Sequence, residues 1–153
     1  MPDPDKNGYN VYVAIALKHF LVIEDNADDA FLIRRAFRET DTCRAFISRT
    51  LTEAKARLQR AGMYNDQEKF PSPDAVICDM HLGMNSALDF LRWINASDEF
   101  RLLPVFILTG TASSSEYGEA KDLGALEVLR KPGKYEDLRG MVEVLAAKLC
   151  AMG

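Results

Sequence analysis

The chain has 153 residues, of which 48% are apolar and 27% charged, and its formal net charge is −4. That size suits one domain with its own core, and the composition is that of an ordinary globular protein. An acidic surface attracts neither nucleic acid nor an anionic membrane, and no apolar run approaches the roughly 18 residues of a membrane-spanning helix. Cys43, Cys78 and Cys150 are odd in number and widely spaced. They form neither a metal-binding pair nor a disulfide framework, and a reducing cytoplasm is the expected location.

Residues 1–18 read as an N-terminal extension. Pro2, Pro4 and Gly8 interrupt regular structure, and Val11–Leu17 reads as a short strand or arm. The residues before it carry Asp3, Asp5 and Lys6 rather than a basic segment, so a signal peptide is not expected.

From residue 19 to residue 150 the pattern is regular, and one domain is expected there. HFLVIE (19–24) is an apolar run of strand length. Ala30, Ile33 and Phe37 follow at helical spacing, with Asp28 and Asp29 placed where acidic groups favour a helix N-terminus. CRAFIS (43–48) is a second strand. Residues 51–61 form a predicted helix stopped by Gly62, and 63–73 a polar loop. DAVICD (74–79) is a third strand, 86–96 a helix, and 104–108 a fourth strand. A weak helix over 115–123 ends at Gly124, LEVLR (126–130) is a fifth strand, and 135–150 is a last amphipathic helix. Strands without polar alternation, interleaved with amphipathic helices, imply a parallel sheet covered by helices on both faces, an α/β fold.

In such a sheet ligands bind beyond the carboxyl ends of the strands. The first strand ends in Glu24 and Asp25, the third in Asp79, the fourth in Thr109, and the fifth in Arg130 and Lys131 before Pro132. Crowded carboxylates need a compensating cation, and an all-oxygen set suits a hard divalent ion such as Mg²⁺ that shares its shell with a phosphate. An aspartate beside such an ion can act as a nucleophile toward phosphorus. A lysine and a hydroxyl would then stabilise the charge on the transferring group.

The segments LVIEDNADD (21–29), DAVICDMHLGMNSALDFL (74–91), LPVFILTGTA (103–112) and LEVLRKP (126–132) together resemble the response-regulator receiver domain of two-component signalling, the CheY-like fold of bacterial chemotaxis. The resemblance covers about residues 19–150. It implies a flavodoxin-like (βα)5 domain with strand order 2-1-3-4-5. It makes Asp79 the phosphoacceptor, with Glu24, Asp25, Asp79 and the backbone carbonyl of His81 holding Mg²⁺. Thr109 is then the switch hydroxyl, Gly110 the small residue that leaves the phosphoryl group reachable, and Lys131 the paired lysine. The Lys131–Pro132 bond is usually cis in the family.

Three positions depart from the family pattern. Val128 stands where an aromatic switch residue is usual, Gly83 where a proline is common, and Ala87 where a glycine is common. Coupling through an aromatic rotamer is therefore in doubt, and the 82–86 loop is expected to differ in shape.

Each residue also has a plain reading. Glu24 and Asp25 could join Asp28 and Asp29 as a helix-end acidic cluster, Asp79 could be a turn residue, Thr109 a β-branched strand residue, and Lys131 a surface lysine. Joint placement at strand ends is what favours the site. His19, Cys78 and Trp93 read as structural or packing residues.

The resemblance implies a single-domain response regulator rather than an enzyme. It would take its phosphoryl group from a sensor histidine kinase or a histidine phosphotransfer protein and signal through altered protein contacts. The EDNADD start and the long loop before the third strand look similar to small receivers associated with bacterial phytochrome kinases. A homodimer is left open, since receivers often pair through their later helices and strands. An aspartate-based phosphohydrolase usually wants a second Asp two residues after the nucleophile, where this chain has His81. The alternative is a pseudo-receiver adaptor that works without phosphorylation.

Overall fold

The computed structural model describes residues 17–111 and 113–152, so the strand or arm expected over Val11–Leu17 lies almost wholly outside the described residues. The strands are β1 (Lys18–Ile23), β2 (Cys43–Ser48), β3 (Ala75–Asp79), β4 (His81–Leu82), β5 (Asn85–Ser86), β6 (Val105–Thr109) and β7 (Glu127–Arg130). The helices are α1 (Ala27–Arg38), α2 (Leu51–Leu58), α3 (Ala87–Asn95), α4 (Ser114–Asp122) and α5 (Tyr135–Ala151), and a 3₁₀ turn spans Gly62–Asn65.

Five strands form one parallel sheet in the order β2-β1-β3-β6-β7. Counting only its own strands, this is the expected order 2-1-3-4-5. Successive side chains of a strand point to opposite faces, and here both faces are buried. Leu21, Ile23, Val76, Cys78, Val105 and Ile107 pack with α2, α3 and α4 on one side. Phe20, Val22, Ala75, Ile77, Phe106 and Leu108 pack with α1 and α5 on the other. A strand covered on both sides has no position that water would hold, which is why these runs lack alternation.

Trp93 and Phe100 lie against the first of these clusters, their rings stacked with centroids 5.7 Å apart. His19 stacks on Phe46 at 5.5 Å, and its backbone N–H donates to Asp74 Oδ2 at 2.8 Å. Cys78 is fully buried, and burial pushes its thiol pKa well up.

Three local details differ from the sequence expectation. Helix α2 stops at Leu58, before Gly62, because Arg60 takes a left-handed conformation with φ 57°. The Arg60 N–H then reaches Arg57 O at 3.2 Å, and the Ala61 N–H reaches Ala56 O at 2.9 Å. This is the usual C-terminal cap of a helix, with arginine in place of glycine. The arginine compensates by donating from its guanidinium to Ser72 Oγ at 2.8 Å, which ties the following loop back onto the helix end.

The second difference is the 81–86 segment, which is a hairpin. His81 pairs with Ser86 and Leu82 with Asn85, around the turn Gly83-Met84. Gly83 has φ +62°, a conformation closed to proline, whose ring holds φ near −65°. Among the described residues no peptide bond is cis, so Lys131–Pro132 is trans, in contrast to the family habit.

Phe106 is fully buried in a central strand, its ring 6.3 Å from that of Phe20. Phe106→Ala is expected to destabilise the fold by about 3–5 kcal/mol. Phe31→Ala, on a side chain that is 64% exposed, should stay within about 0.5 kcal/mol. Urea unfolding midpoints check both.

Candidate functional site

Parallel strands all end at one edge of the sheet, and the loops after β1, β3, β6 and β7 meet there. Glu24 follows β1 directly, and its N–H continues the ladder to Ser48 O at 3.0 Å. Its side chain, 1% exposed, also accepts from the Asn26 N–H at 3.2 Å. Asn26 caps α1 by accepting from the Asp29 N–H at 2.9 Å. That cap sets the first turn of the helix over the end of β1. Asp79 is the last residue of β3 and is 8% exposed. Thr109 ends β6, and the Lys131 N–H donates to its carbonyl at 2.8 Å.

Lys131 draws these segments together. Its Nζ lies 2.9 Å from Glu24 Oε2, 3.1 Å from Asp29 Oδ2 and 3.1 Å from Asp79 Oδ2. Oxygens of Glu24, Asp25 and Asp79 lie within 4.8 Å of one another, close enough to share one divalent cation. The donor set is all oxygen, which fits a hard ion rather than zinc or copper. Asp25 is exposed, and its backbone carbonyl accepts from the Arg49 guanidinium at 2.5 Å.

The electrostatics follow from burial. Glu24 loses hydration, and this outweighs its bond to Lys131, so its pKa rises to about 7. For Lys131 burial acts the other way, toward a lower pKa. Its hydrogen bonds to Glu24 and Asp29 and the charges of Glu24 and Asp79 prevail, and its pKa is raised. One ammonium faces four carboxylates, counting Asp25, and the excess of negative charge favours a further cation.

The other sequence-picked residues surround this centre. The Thr109 hydroxyl is buried and, among the described residues, has no hydrogen-bond partner. Among the described residues a side chain at Gly110 would meet nothing within 4 Å. The His81 ring lies beside the start of α4. Its Nε2 lies 3.1 Å from Thr111 O and 3.6 Å from Glu116 Oε2. Asp29, expected from its position to favour the start of α1, is also the third carboxylate on Lys131. Its position in the first turn of a capped helix that follows β1 was the available signal.

A family model for the response regulator receiver domain matches residues 20–143. The chain belongs to the response-regulator receiver family. It is similar to the probable methanogenesis regulatory protein FilR2 of Methanothrix harundinacea, at 30% identity over 125 residues, 80% of this chain and 77% of that one. The fold matches the phosphorylated cyanobacterial phytochrome response regulator RcpA with a TM-score of 0.80, at 22% identity, over 90% of this chain and 97% of that one. It also matches the Mn²⁺-bound form of response regulator Rcp1 with a TM-score of 0.72, at 25% identity, over 84% and 91% of the two chains. Receivers are two-component signalling domains rather than turnover enzymes, and the family binds a divalent metal. Among the described residues no helix is long and apolar enough to cross a membrane.

The raised Glu24 pKa predicts how the metal-free receiver responds to pH. Between the ordinary value of 4.5 and about 7 the folded protein holds a proton that the unfolded chain has released. The associated stability is fully present below 4.5 and is lost as pH rises through about 7. In EDTA the melting temperature should therefore fall across that window, less so with Mg²⁺ present, and this component should vanish in Glu24→Gln. Thermal melts by circular dichroism at a series of pH values test it.

Proposed function

We propose that this receiver accepts a phosphoryl group on Asp79 from the phosphohistidine of a sensor kinase or a histidine phosphotransfer protein, with Mg²⁺, and signals by changing its protein contacts. The supporting observation is the Lys131 ammonium held within 3.1 Å of Asp79 and Asp29 and 2.9 Å of Glu24 at the strand ends. In this reading Glu24, Asp25 and Asp79, with the His81 carbonyl, hold the ion. When bound, it neutralises the carboxylates and the phosphoryl oxygens.

An Asp79 carboxylate oxygen forms the new bond to phosphorus as the phosphorus–nitrogen bond of the donor breaks. Lys131 exchanges its bond with the Asp79 oxygen for one with a phosphoryl oxygen, and so holds charge that moves outward during transfer. Thr109 gives its unpaired hydroxyl to a second phosphoryl oxygen. Glu24 and Asp29 keep the ammonium aimed. In this reading the functional receiver runs from the start of β1 at Lys18, one residue before the boundary expected from the sequence, to the end of α5 at Ala151. The likeness of fold to RcpA makes a phytochrome-type histidine kinase the first partner class to assay.

Incubation with acetyl phosphate and Mg²⁺ should add one phosphoryl group to the intact mass. None should add in Asp79→Asn or in EDTA. Lys131→Ala should slow the addition by on the order of a hundredfold. Failure of the native chain to gain mass under any divalent ion would leave the phosphorylation-independent adaptor as the reading to pursue.

A further inference from the structure

Cys43, Cys78 and Cys150 are free thiols, and the fold brings two of them together. Cys43 opens β2 and is fully buried, in the apolar cluster that also holds Ala146 and Leu149 of α5. Cys150 follows Leu149 in the last turn of that helix and is exposed. It also lines a depression of about 370 Å³ together with Thr42, the residue before Cys43, and with Thr40 and Glu143. A small solute can reach Cys150 there.

The two thiols differ in character. Burial raises the Cys43 pKa, the bond donated by Thr42 Oγ1 at 3.8 Å acts the other way, and the charge and contact of the neighbouring Cys150 raise it further. Cys43 is therefore a poor first target for an oxidant, which attacks a thiolate within its reach. Cys150 is within reach. Cys78 stands apart from both. It is fully buried in the cluster on the other face of the sheet, and its Sγ donates to the Asp79 carbonyl at 3.4 Å.

We propose that Cys43 and Cys150 are a peroxide-oxidised pair that closes to a disulfide and clamps the last turn of α5 to the edge strand β2. The Cys150 sulfur takes one oxygen of the peroxide, the oxygen–oxygen bond breaks, and water or an alcohol leaves. The Cys43 sulfur then attacks the Cys150 sulfenic sulfur. Its proton departs with the hydroxide as water, and the sulfur–sulfur bond forms. The two thiols have then given two electrons to one peroxide. The loop so closed takes in most of the chain, the case in which a crosslink restricts the unfolded state most. The pair lies at the start of β2, away from the strand ends that carry Glu24 and Asp79, so the inference does not rest on the phosphoacceptor reading.

The test treats the full chain with a small molar excess of hydrogen peroxide. The product is denatured, alkylated with iodoacetamide and mapped by peptide mass without reduction. The expected result is one crosslinked pair of peptides holding Cys43 and Cys150, in a chain of monomeric mass, with Cys78 alkylated. Dithiothreitol should reverse it, and the oxidised chain should melt several degrees above the reduced one. In Cys150→Ser, at an exposed position, neither the crosslink nor the rise in melting temperature should appear. In Cys43→Ala the oxidation should stop at a Cys150 sulfenic acid, which dimedone labels.

Cys150 carried to sulfinic acid with Cys43 still alkylated overturns the proposal. A crosslink between chains, or an oxidised chain that melts no higher than the reduced one, does the same. A Cys43–Cys150 bond that forms as fast in guanidinium as in the folded chain also overturns it, because the fold would then contribute nothing to the pairing.

Discussion

The Lys131 ammonium sits among carboxylates from three separate segments, the end of β1, the first turn of α1 and the end of β3. Partly buried like charges at this spacing would drive those segments apart, and one cation bonded to all of them makes the arrangement tolerable. The compensation is incomplete. Glu24 still has its pKa raised to about 7, because hydration lost on burial exceeds what a single lysine returns. A site left short of positive charge is suited to take up a divalent cation. Its partial stability is therefore part of what it can do.

The sheet is what allows this crowding. All five of its strands run parallel, so every strand delivers its last residue to the same edge. The apolar clusters on the two faces hold the strands in register, and the ladder continues past the strands themselves. Glu24 N–H to Ser48 O and Lys131 N–H to Thr109 O are ladder bonds made by residues of the site. The positions of the charged groups thus follow from the same hydrogen bonds and the same buried side chains that define the fold. By contrast α4 owes the core only Ala120. It lies beside the site with a smaller share in the core than the strands that carry the site residues.

Much of this was legible in the chain. Runs such as LVI and AVIC carry no alternation, and only a strand buried on both faces tolerates that pattern. Once the strands are placed, their terminal residues must converge, so Glu24, Asp25, Asp79, Thr109 and Lys131 could be named from order alone. The hairpin at 81–86 was less legible, since two-residue strands leave no periodicity. Only the glycine at position 83 hinted at a turn. The early stop of α2 was hidden because Arg60 adopts a backbone conformation that its residue type disfavours, stabilised by a contact with Ser72 twelve positions later.

The sequence by itself determined the strands, their parallel sense and the set of groups at their ends, because hydrophobic pattern and the succession of strands and helices are properties of the chain, whereas the order within the sheet followed only from resemblance to a known family. Only the tertiary structure decided how those groups share charge. Asp29 joins Lys131 because α1 starts directly over the end of β1, and Glu24 titrates high because the completed fold removes its water. Cys43 and Cys150 come together although neither is placed there by its own neighbours in sequence. Electrostatics, burial and open space depend on distances between segments far apart in the chain, and those distances exist only after the core has formed.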